Sequence, residues 1–203
     1  MFHPCRYVAF INSFFPLLRP GPWMLWGSME KSNLLLGATF RESYQGAGSE
    51  ETTTSPSSTV LQELVQKSLS WINYCRFVAR MTRDTDHDFS LYLLWFARDA
   101  LEDCTWCSCT YPCAAIVAFE EVIDVCGVWM FHSDADFGRT GCGGDGVRKW
   151  EGKSGFCRER WLFWEGELHS ITQDEDRYPP HVRNSARRTG ATMELVRTES
   201  DCT

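Results

Sequence analysis

Four cysteines stand close enough in the chain to share one metal ion. The segment CTWCSCTYPC sets Cys104, Cys107, Cys109 and Cys113 in a C-x2-C-x-C-x3-C array. Four thiolates can surround zinc tetrahedrally, and zinc is the one cofactor this sequence offers. Structural zinc sites usually take two ligand pairs separated by a longer segment, which lets the chain wrap the ion without strain, and this array lacks that separation. The competing reading is a Cys-rich connecting loop, with or without a reversible disulfide from Cys104 to Cys109 or Cys113.

A second thiol, Cys157, lies between Phe156 and Arg158, with Arg160 close by. At a helix start beside two guanidinium groups a thiol pKa can fall and the sulfur become reactive. A nucleophile also needs a base. His132 and His169 are the candidates, and sequence position brings neither within reach, so no catalytic residue is assigned. A hydrolase built on Glu102, Glu120 or Asp124 has only the presence of carboxylates behind it. Arg98 and Glu102, four apart, read as a surface pair contributing about 0.3 to 0.5 kcal/mol. Glu120, Glu121 and Asp124 read as a solvated face, and His87, His132 and His169 as ordinary loop or surface residues. GCGGDG, from Gly141 to Gly146, satisfies G-x-G-x-x-G literally, but no strand precedes it and no helix opens from it. Gly152-Lys153-Ser154 resembles the end of a phosphate loop whose first glycine is replaced by Val147. Both are decoys within a Gly-rich connection.

The elements that must position these residues are helices. Thr59 with Gln62 fits a capping box, and apolar residues from Val60 to Ala79 recur at helical spacing, predicting a helix over about residues 59–82. Asp86 or Asp88 can cap a second helix over about 88–103; its apolar residues cover almost the whole circumference, which suits the centre of a bundle. Pro112 fits the first turn of a third, about 113–131, with Ile116, Phe119, Ile123, Cys126 and Met130 inward. Gly127 weakens that helix by about 1 kcal/mol relative to Ala unless it serves a close contact. The fourth, about 157–172, carries Trp161, Trp164, Leu168 and Ile171 along one stripe, with Cys157 as N-cap and Phe156 and Trp161 as a hydrophobic staple. The fold expected is all-α: one bundle-like domain of about four main helices over about residues 34–172, between flexible ends. Residues 1–33 read as a hydrophobic N-terminal extension with Met29 a candidate true start, and the polar stretch 173–203 as a disordered tail.

With 203 residues, 43% hydrophobic and 14% aromatic, the chain can bury one sizeable core. A net charge of −7 argues against nucleic acid as a partner. The apolar run near the N-terminus is about 12 residues, short of the roughly 20 a membrane span needs. Cys75 and Cys126 fall inside apolar helical patterns, where Cys behaves as a small hydrophobe, so a reducing, cytoplasmic setting is expected.

Four segments carry a family resemblance. LLLGATFRESY, WINYCRFVARMT, YLLWFARDALE and GDGVRKWEGKSGFCRERWLFW, spread over roughly Leu34 to Ile171, resemble the uncharacterised domain-of-unknown-function 3632 family of filamentous fungi. The last two segments are the more specific. The resemblance implies an all-helical fold and a fungal source, with a chain shortened at its N-terminus and carrying, after Asp103, a cysteine-rich insert that is not part of the family's pattern. No activity comes with it. The function expected is therefore a non-enzymatic helical interaction domain with an unidentified protein partner, with a metal- or thiol-dependent protein centred on Cys104 to Cys113 as the alternative.

Overall fold

A computed structural model describes residues 58–86, 88–102, 111–138 and 149–202. Five helices follow one another: α1 Ser58–Asp84, α2 Ser90–Leu101, α3 Tyr111–His132, α4 Arg158–Gln173 and α5 Pro180–Asp201. All lie in one compact unit, Gly46–Thr203, and no strand occurs among the described residues.

The four expected helices form within about two residues of the predicted bounds, because in each the apolar spacing matches the 3.6-residue turn. The N-cap of α2 is Phe89 rather than Asp86 or Asp88, while Asp88, one residue earlier, accepts from the Ser90 amide through Oδ1 at 2.9 Å. None of the twelve residues of α2 is exposed, in keeping with a central position. Its Phe96 meets Trp71 and Tyr74 of α1 edge-on, with ring centroids 5.6 and 5.9 Å apart. Along α3 the predicted stripe of Ile116, Phe119, Ile123, Cys126 and Met130 is fully buried. Trp161, Trp164, Leu168 and Ile171 of α4 are buried as well, and Cys157 is its N-cap. The Thr59–Gln62 capping box involves a side chain outside the described set.

Among the described residues the count is five helices, not four. The fifth occupies most of the stretch read as a disordered polar tail, and it buries Val182, Ser185, Ala186, Thr189, Met193 and Val196 against α3 and α4. These recur at three and four, but half are small or hydroxylated, so mean hydropathy hides the stripe. Pro179 caps the helix and Pro180 fills its first position, where a missing amide costs nothing. Thr189 returns its hydroxyl to the Ser185 carbonyl at 2.9 Å, satisfying the polar atom inside the helix.

Between α3 and α4 the described chain forms one antiparallel bridge, Asp136 to Gly155. The Phe156 amide donates to the Ala135 carbonyl at 2.9 Å. A Cβ on Gly155 would stand 1.8 Å from that same carbonyl oxygen, so only glycine allows the two backbones to approach. No described helix is long and apolar enough to cross a membrane.

Candidate functional site

The charged residues at the centre of the molecule belong to the two most specific segments. Arg160 is 2% exposed and Glu102 6%. Arg160 Nε and Nη2 donate to Glu102 Oε1 and Oε2, both at 2.7 Å, a bidentate fork. Trp164 Nε1 donates to Oε1 at 2.7 Å. The remaining guanidinium nitrogen, Nη1, reaches the carbonyls of Gly155 and Lys153 at 3.0 and 3.3 Å. The indoles of Trp164 and Trp150 lie 5.6 and 5.7 Å from the guanidinium carbon. Glu102 is thus no half of a surface pair: Arg98 Nε stands 3.9 Å from Oε2, while the close partner comes from 58 residues away. With three of its roughly four lone-pair sites filled, this carboxylate holds α2, α4 and the 149–156 segment together.

Cys157, its two arginine neighbours and His132 each have partners of their own. Burial pushes the Cys157 thiol up, and a bond to Glu159 adds to this, opposite to the lowering expected from its arginine neighbours. Those arginines are engaged elsewhere: Arg158 Nη2 meets Asp201 Oδ2 at 2.5 Å, and Arg160 serves Glu102. His132 Nε2 lies 3.0 Å from Ser200 Oγ, and His169 is exposed on α4. Burial raises the Cys113 thiol too. Cys104, Cys107 and Cys109 lie outside the described residues, as do His87 and Gly141 to Gly146. Among the described residues no three His, Cys, Asp or Glu side chains stand together as a metal site would require. Lys153 Nζ donates to the Asp134 carbonyl, across the connection between α3 and α4.

Nor is the acidic face of α3 simply solvated. Glu120 accepts from Arg188 Nη2 at 2.9 Å and from Ser185 Oγ at 2.5 Å, both on α5, and Glu121 pairs with Arg76 of α1 at 3.1 Å. Burial, then the charge of Glu120, raises the Asp124 carboxyl. Cys75 and Cys126 are the buried small hydrophobes expected; the Cys126 thiol donates to the Ala79 carbonyl and is pushed up to about 11, chiefly by burial.

Sequence reasoning missed the groove at the C-terminal end of α3. Val125, Val128 and Trp129 floor a groove of about 520 Å³, open to solvent, with Arg83, His132 and Ser133 around it. Val128 is 60% and Trp129 39% exposed, on a helix whose opposite stripe is in the core. Trp129 leans on Phe156, ring centroids 5.7 Å apart. The polar residues are tied down: Arg83 grips Asp84 at 2.6 and 3.0 Å, Ser133 Oγ accepts from the Ala135 amide at 3.3 Å, and His132 is bonded to Ser200. Such a surface can bury an apolar side chain. Adjacent apolar residues such as Val128 and Trp129 gave no signal of the groove, since neighbours on a helix such as Val122 and Ile123 can both be buried.

The clasp joins YLLWFARDALE to GFCRERWLFW, the two more specific of the four segments that carry the resemblance. A family described as a protein of unknown function, DUF3632, matches residues 21–168. The chain belongs to that family. The match starts upstream of the motifs at Leu34 and ends inside α4, so α5 lies beyond it. Both members of the buried ion pair, Glu102 and Arg160, fall within it. No curated protein and no solved structure matches the chain.

Proposed function

We propose that this member of the family is a non-enzymatic helical domain that docks another protein in the groove at the end of α3, and that it works in the cytoplasm. The observation that carries this reading is the exposure of Val128 and Trp129 side by side, an apolar patch beside Val125 in a groove open to solvent. Two further features support it. The described thiols with shifted pKa values all move upward, away from the thiolate, and Glu102 is consumed in holding the fold. A cytoplasmic setting fits cysteines such as Cys75 and Cys126 that serve as buried apolar side chains.

The test is a hydrophobic fluorescent dye and light scattering on the purified full chain. Wild type should bind the dye, and Val128→Lys, at a position open enough to fold normally, should lose that binding with an unchanged melting temperature. A monomer that binds no dye, or a V128K variant that binds as well as wild type, would sink the reading. Elemental analysis of the same sample addresses the alternative: on the order of one equivalent of zinc would place a metal centre at Cys104 to Cys113 instead.

A further inference from the structure

Helices α4 and α5 run antiparallel, and three contacts give their register. A Cβ on Gly190 would stand 3.9 Å from Leu168 Cβ; farther along, Arg197 Nε lies 3.1 Å from Glu165 Oε1; at the far end Arg158 meets Asp201 at 2.5 Å. One residue outward from that last pair, each chain segment carries a free cysteine. Cys157 is the half-buried N-cap of α4, and Cys202 the exposed C-cap of α5. Because the helices are antiparallel, stepping back from Arg158 and forward from Asp201 leads off the same end of the pair.

We propose that Cys157 and Cys202 form a reversible disulfide that fastens the last turn of α5 to the start of α4. A disulfide needs Cα atoms within about 7 Å, and packed helix axes lie about 8–10 Å apart. Cys202 stands past the last helical residue, where backbone frays readily and can close the remaining distance. The oxidant is a small-molecule disulfide of the glutathione class. The Cys202 thiolate attacks it, forming a mixed disulfide and expelling one small thiolate. Cys157, as thiolate, then attacks the Cys202 sulfur, forming the protein disulfide and expelling the second. Two protein thiols are oxidised, one external disulfide is reduced to two thiols, and the protons pass through solvent to the departing thiolates. Burial holds the Cys157 thiol protonated at neutral pH, so closure quickens as pH rises.

The lock has a target. Ser200, in the same last turn of α5, holds His132 at the wall of the α3 groove. Fastening that turn preorganises the groove, a consequence that rests on the docking reading, whereas the disulfide does not.

Incubating the full chain with oxidised glutathione and mapping peptides without reduction tests the proposal. The expected result is a Cys157–Cys202 linkage that reduction removes, that C202S abolishes, and that R158A slows by loosening the register. Cys202 found only as a glutathione adduct, or joined to a different cysteine while Cys157 stays a thiol, would overturn it. Dye titration separates the two claims. Oxidised wild type should bind at least about twofold more tightly than oxidised C202S; equal binding removes the coupling to the groove, and a linked protein that binds no dye in either state removes the docking reading alone.

Discussion

Glu102 shows how much a single side chain can be asked to hold. It accepts two bonds from Arg160 and one from Trp164, and its backbone carbonyl accepts from the Lys149 amide at 3.3 Å. Removing one partner of a buried pair strands the other charge, so Glu102→Ala should destabilise by about 3–5 kcal/mol in urea unfolding. Arg160→Ala should cost a similar amount, and the double variant far less than the sum; additive losses would show that the two residues do not act as one unit. Asp124 allows a test with pH. Its carboxyl is raised by burial and by Glu120, so the folded chain holds that proton more tightly than the unfolded chain does. The ionised form therefore weakens the fold above the raised pKa, and the penalty disappears below the ordinary carboxylate value. Asp124→Asn should melt higher than wild type at neutral pH, with the gap narrowing as pH falls through that window. A gap independent of pH would exclude the carboxyl as its source.

At the scale of elements, α3 and α5 show opposite lessons about glycine and polarity. Gly127 lies within α3, where a Cβ would find Ile123 Cγ2 at 3.4 Å and Trp161 and Val196 at 3.9 Å, ordinary contact distances. Close packing therefore does not demand glycine there, and Gly127→Ala should stabilise the protein by about 0.5–1 kcal/mol through helix propensity. A lower melting temperature would mean that the neighbours cannot give way. In α5 the polar residues are the packing residues. Ser185 and Thr189 are buried, and Arg188, Arg197 and Asp201 tie its flanks to Glu120, Glu165 and Arg158. These ties satisfy charge at the rim while the small stripe lets α5 approach its neighbours closely.

For the whole molecule, α5 decides where the stable unit ends. It covers α3 and α4 beyond the last residue of the family match. A chain ending at Gln173 should lose a sharp thermal transition and bind hydrophobic dye in excess of wild type, because the seats of Val182, Ala186, Met193 and Val196 would open. An unchanged transition would show that the first four helices suffice.

Local pattern by itself determined the four helices, the inward stripe of α3, the encircling apolar surface of α2 and the N-cap at Cys157. Helical periodicity and capping are properties of neighbouring residues, so they are legible along the chain. The family was legible too, in segments whose charged residues looked ordinary. Tertiary structure decided what those charges do. Arg160 and Glu102 lie 58 residues apart, and no local rule pairs them; seen alone, one was a neighbour of a thiol and the other a surface carboxylate. It also decided α5, whose stripe of serine, alanine and threonine becomes a core only when α3 and α4 present a surface shaped to receive it. The groove at Val128 and Trp129 was hidden for the same reason: exposure of an apolar residue is a fact about what fails to cover it, and coverage exists only once the helices have packed.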